Sequence, residues 1–128
     1  MKGETSTWLR YAEENLVVAR MSLERGLLNA CMQNAQQCVE KALKALVIEH
    51  GLEFKRTHSI QELARQVAAA GLDNGVSEDE CDLIDTLYLP SKYPMAGVAP
   101  DLTTDTAIGE QCRDIAERVL AVARRQMV

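Results

Sequence analysis

The three prolines of this chain, Pro90, Pro94 and Pro100, all fall within one eleven-residue window. Proline removes a backbone donor and clashes with the preceding helical turn, so it limits where long helices can run. Everything outside the window is free to be helical, and the apolar spacing uses that freedom. Trp8, Ala12, Leu16, Ala19 and Leu23 recur at three- and four-residue intervals, as do Ile108, Cys112, Ile115, Val119 and Val122. Strand alternation, internal repeats and low-complexity tracts are absent from the sequence.

The first helix is predicted from about Thr7 to Arg25 and stopped by Gly26. After a short turn at Leu27 to Asn29, the second runs from about Ala30 to His50 and stops at Gly51. Two helices of this length joined by a few residues lie antiparallel. Ser59 with Glu62 and Ser77 with Glu80 read as capping boxes that open the third and fourth helices. Leu89 to Asp101 is expected to be a proline-rich loop, and the last helix runs from near Thr104 to about Gln126. On its outside, Arg113 with Glu117 and Asp114 with Arg118 are spaced to pair. The expected architecture is all-α: an up-and-down four-helix bundle with an additional short helix, forming one domain over residues 1–128.

Composition narrows the function. Aromatic residues are only 4% of a chain that is 47% hydrophobic, so the core is built from small aliphatic side chains suited to close helix packing. A net charge of −5 argues against a general nucleic-acid coat or an anionic-membrane binder, while allowing a local basic pocket. The N-terminus is polar and no apolar run reaches membrane length, so no membrane contact is expected and the cytosol is the default location. The four cysteines, Cys31, Cys38, Cys81 and Cys112, form no Cys-x-x-Cys pair, and each falls on an apolar helical face. They read as buried reduced thiols rather than zinc ligands or disulfides. No phosphate-binding glycine loop or metal-spaced carboxylate set occurs, so no cofactor or metal is expected.

Three places are able to carry chemistry. On a helix, Gln33, Gln37, Glu40 and Lys44 fall within about 60° of one another, with Cys31, Ala35, Cys38, Ala42 and Leu46 opposite. This stripe reads either as a groove or dimer contact, or as a solvated face in which Glu40 and Lys44 make an ordinary surface pair. His58 reads either as a titratable group with Arg56 binding an anion beside it, or as a structural histidine fixing a turn; no triad-like neighbour is near it in sequence. In the proline window, Lys92 is suited to a phosphate and Tyr93 to stacking on a base, or else Tyr93 and Leu89 plug one end of the bundle.

The order of these pieces is similar to that of the HEPN family: a Gln-Gln-x-x-Glu-Lys-x-x-Lys-Ala helix over Gln36–Ala45, an Arg-Thr-His turn at Arg56–His58, and a basic-Tyr-Pro loop at Lys92–Pro94. The resemblance extends over roughly Trp8 to Val122. It implies a helical bundle that homodimerises, commonly acts beside a nucleotidyltransferase-domain partner, and in some members binds a nucleotide or RNA. Other members are metal-independent ribonuclease toxins that use an Arg-x(4–6)-His motif, the arginine on the scissile phosphate and the histidine moving a proton. That motif is missing: neither His50 nor His58 has an arginine five to seven residues before it. Lys92 also stands where the family loop more often has arginine, keeping the charge but losing bidentate geometry. The expected function is a non-catalytic module with Gln33, Gln37, Glu40, Lys44, Arg56, His58, Lys92 and Tyr93 in its groove. The alternatives are a divergent ribonuclease using His58, and a purely structural dimerisation module.

Overall fold

The computed structural model describes residues 1–92 and 105–128, with side chains described as far as Tyr88 and again from Asp105. Five helices are present: α1 (Gly3–Glu24), α2 (Leu28–Glu49), α3 (Ile60–Ala69), α4 (Glu78–Lys92) and α5 (Thr106–Arg125). No strand occurs among the described residues.

Contacts set the direction of each helix. Lys2 meets Glu49 and Asn15 meets Asn34, so α1 and α2 are antiparallel. Cys31 meets the Gly109 carbonyl and Cys38 the Ala116 carbonyl, so α5 runs parallel to α2. Gln36 reaches the His58 carbonyl and Gln66 reaches that of Glu53, so α3 descends in the same sense as α2. Ser59 meets Asp85 and Arg65 meets Glu78, which turns α4 back upward. The result is the expected up-and-down bundle of α1, α2, α4 and α5 with α3 as the additional short helix.

α2 packs against each of the other four helices and is the central element. Leu43, Leu46, Val39 and Val47 on α2 are sealed in with Leu63, Ile84, Ile115 and Leu120. Burying one such side chain is worth about 1.5–3 kcal/mol. Gly26 and Gly51 end α1 and α2 at positive φ, +71° and +67°, where a side chain would be strained.

Several boundaries differ from the sequence expectation. α1 starts four residues earlier, at Gly3, with Thr5 buried in its first turn. The turn before α2 lies ahead of Leu28 rather than at Leu27 to Asn29. α4 continues through Pro90 to Lys92, where a loop was expected from Leu89; proline's φ suits a helix, and its missing N–H forfeits one bond near the helix end. Asp105, not Thr104, caps α5 by accepting from the Ala107 and Ile108 amides at 2.9 and 3.4 Å. The expected pairs along α5 do not form: Arg113 pairs with Asp114, Glu117 with Arg20, and Arg118 with Glu80. For Glu117 and Arg118, partners on other helices are better placed than neighbours four residues away, while Arg113 turns to the adjacent Asp114.

Both predicted caps are present. Ser77 and Glu80 form a reciprocal box, with Glu80 N donating to Ser77 Oγ at 3.1 Å and Ser77 N to Glu80 Oε1 at 3.0 Å. At α3, Glu62 N donates to Ser59 Oγ, but the Glu62 carboxylate accepts from Thr57 instead of returning to Ser59. The rest of that helix end is satisfied from outside: Asp85 of α4 accepts from the amides of Ile60 and Gln61 at 2.8 and 3.1 Å.

At the lower end of the bundle, Glu49 accepts from the backbone N–H of Lys2 at 3.0 Å and that of Val128 at 2.9 Å. These bonds, foremost the one from Lys2, hold its carboxyl at about 2. One carboxylate thus fastens α1 and the end of α5 to α2.

Candidate functional site: a polar groove along the central helix

The stripe on α2 is not a solvated face. Glu40 and Lys44 do pair, with Nζ to Oε2 at 3.0 Å, but their side chains are only 5% and 7% exposed. Lys44 is covered by Trp8 of α1 and Phe54, whose rings lie 5.9 Å apart with the ammonium 5.8 and 5.6 Å from their centroids. That arrangement combines an ion pair with two cation–π contacts.

Glu40 is the hub. Its Oε1 accepts from Gln36 Nε2 at 3.2 Å and lies 2.9 Å from His58 Nδ1, while Oε2 takes Lys44. Burial, the largest single influence, pushes its carboxyl up. The hydrogen bonds from His58 and Lys44, with the Lys44 charge, outweigh it and hold the group below its ordinary value. Glu40 is therefore a carboxylate that only accepts, so His58 Nδ1 carries the proton. The remaining ring nitrogen, Nε2, is left outside this bond, on a side chain 67% exposed. The ring stacks on Tyr88 of α4, centroids 5.8 Å apart at 24°, and the His58 carbonyl accepts from Gln36 at 3.2 Å.

At about 100° per residue, Gln33 and Gln37 lie along the middle of the α2 polar arc. Gln36 and Glu40 form the edge toward His58; Asn34 and Lys41 form the edge toward α1. On that second edge Lys41 donates to Asn15 at 2.7 Å, Asn15 donates to Asn34 at 3.0 Å, and Lys41 sits 5.9 Å from the Tyr11 ring centre. Gln33 and Gln37 are half-buried between the two flanks, and Gln37 donates to Gln36 at 2.7 Å. The arrangement is a polar strip along α2, the candidate groove, with half-buried amides along its middle, Tyr11 beside Lys41 at one edge, His58 stacked on Tyr88 at the other, and Trp8 and Phe54 over Lys44 at one end.

Of the residues singled out from sequence, the structure joins Glu40, Lys44, His58 and Gln37 in one connected network. Gln33 lies along the same arc. Arg56 is exposed and takes no part in these bonds. Tyr93 and the side chain of Lys92 lie outside the described residues. Gln36, Lys41, Tyr11 and Tyr88 were missed. Gln36 and Lys41 flank the stripe by one position, and a wider arc would have included them; Tyr11 and Tyr88 give no local signal. Among the described residues no group of His, Cys, Asp and Glu is placed to hold a metal. All four cysteines are free and buried, and burial pushes Cys38 and Cys112 up to about 12 and Cys81 to about 11. No helix among the described residues is long and apolar enough to cross a membrane.

The crystal structure of TT1696 from Thermus thermophilus superposes with a TM-score of 0.79 at 30% identity, covering 98% of this chain and 100% of that one. That of ST0689, an archaeal HEPN homologue, gives 0.70 at 31% identity, covering 98% of each chain. A Methanocaldococcus jannaschii protein named "Putative toxin MJ1304" is 38% identical over 60 residues, which is 47% of this chain and 39% of that protein. The chain thus matches well under half the length of that curated relative. The family model for the HEPN domain matches residues 5–126, nearly the whole bundle, and the chain belongs to the HEPN domain family.

Proposed function

We propose that this HEPN domain is a non-catalytic cytosolic module that binds a nucleotide or an RNA end in the α2 groove, as a homodimer acting with a nucleotidyltransferase-domain partner. One observation carries the reading: a buried Gln36–Glu40–Lys44 network ends at an exposed, ring-stacked His58. Burying an ion pair brings little net stability, so the arrangement is better explained as holding groove side chains in place. Gln33 and Gln37 offer amide donors and acceptors to a base edge, and Lys41 and Arg56 offer phosphate a cation; the family resemblance adds Lys92 and Tyr93. The partner and the dimer come from the family resemblance. The test is a thermal melt with nucleotides and short RNAs. A ligand at one hundred times its dissociation constant adds about 2.7 kcal/mol and raises the midpoint by a few degrees. The shift is expected to vanish in Gln37→Ala/Lys41→Ala; a shift kept in that variant puts the ligand elsewhere.

A second reading rests on the Glu40–His58 bond at 2.9 Å. A carboxylate that fixes the histidine tautomer and leaves Nε2 accessible is the arrangement a general base needs. In this reading the chain is a metal-independent ribonuclease, in keeping with the toxin name of its relative. RNA cleavage in the presence of EDTA, abolished by His58→Ala, would select it over the first.

A further inference from the structure

α1 carries a second apolar stripe that the bundle does not use. Its inward face, Leu9, Ala12, Leu16 and Ala19, is buried in the core. Tyr11, Glu14, Val18, Met21 and Arg25 recur at alternating three- and four-residue steps on the opposite side. At about 100° per residue, Glu14, Val18, Met21 and Arg25 lie within about 60° of one another. The apolar members are open to solvent: Val18 is 43% exposed and Met21 55%, with Val17 at 42% and Leu27 at 55% beside them. Val18, Met21, Ser22, Arg25 and Leu27 line a shallow cleft of about 210 Å³. The usual back of a helix in a bundle is polar, and here two valines, a methionine and a leucine interrupt it.

The geometry points to this face as the contact with a second copy of the chain, α1 against α1 in antiparallel register about a two-fold axis midway between Val18 and Met21. The inference rests on the homodimer reading above and assigns its surface. Charge decides both the occupant and the register. Glu14 and Arg25 are equidistant from that axis, so each Glu14 faces the partner's Arg25 twice over. Val18 covers the partner's Met21, and Val17 lies at the edge of the same patch. A parallel pairing would set Glu14 against Glu14 and Arg25 against Arg25. An isologous contact needs a patch complementary to itself, and a stripe with an acid at one end, a base at the other and apolar residues between is one.

The experiment is sedimentation of the purified full chain across a dilution series, with circular dichroism to confirm that each variant is folded. Wild type is expected to dimerise. Val18→Glu and Met21→Glu are expected to be folded monomers. Glu14→Arg and Arg25→Glu are each expected to weaken the dimer at least about tenfold, and the double reversal Glu14→Arg/Arg25→Glu to restore it. Mixing the two single reversals tests the register directly, because the mixed pair sets both arginines of one protomer against both glutamates of the other. It should form a heterodimer tighter than either variant alone. A wild-type dimer untouched by Val18→Glu and Met21→Glu overturns the α1 surface and leaves the homodimer reading standing on another face. A wild-type monomer at every concentration overturns both.

Discussion

His58 Nδ1 lies 2.9 Å from Glu40 Oε1, which joins the segment before α3 to the middle of α2 through a carboxylate that Lys44 also claims. Removing that carboxylate leaves Lys44 charged, buried and unpaired. Glu40→Gln is expected to destabilise the fold by about 3–5 kcal/mol, as broken buried pairs do. The double replacement Glu40→Leu/Lys44→Met should cost far less than the sum of the single losses. Urea unfolding of the three variants measures both. Equal additive losses would show that the two charges do not depend on each other.

Acid should weaken the bundle through Glu40 and Glu49. Both carboxyls sit below their ordinary value of 4.5 in the folded state, Glu49 at about 2. A depressed carboxyl contributes stability that is fully present above its unfolded value and is lost as pH falls through its folded one. The midpoint should therefore fall as pH drops from about 4.5 toward about 2, and more shallowly in Glu49→Gln, which is already weaker at neutral pH. An acid limb unchanged in that variant would remove Glu49 from the account.

Asp85 holds the start of α3 through the amides of Ile60 and Gln61 and the hydroxyl of Ser59. Asp85→Ala is expected to cost about 1–2 kcal/mol, the range for a lost helix cap. Hydrogen exchange should show the loss first in the opening turn of α3, with α5 little changed.

The thiols should be silent in the folded protein. All four are buried and, for Cys38, Cys81 and Cys112, pushed well above the pH at which thiolates form readily. A thiol reagent at mild pH is expected to label none of them natively and all four in guanidinium. Rapid labelling of the native chain would show that the bundle opens locally.

What the sequence made legible was local. The glycine stops, the capping boxes at Ser59 and Ser77, and the three-four spacing of α1 and α5 are set by residues a turn apart, and they predicted the bundle. The stripe of Gln33, Gln37, Glu40 and Lys44 was visible as an arc, but its burial was not, because Trp8, Phe54 and His58 come from other segments to cover it. The charges of α5 were misread for the same reason: Arg20 and Glu80 compete for Glu117 and Arg118 across the fold. Tyr11 and Tyr88 look ordinary until α2 is placed between them.

Trp8 is the sole tryptophan of the chain, and it stands at the closed end of the groove with an ammonium beside its ring. The domain therefore carries a built-in optical probe at that end. Occupation of the groove, or any movement of Phe54 away from Lys44, should alter indole emission directly, so titrations can be followed in unlabelled protein.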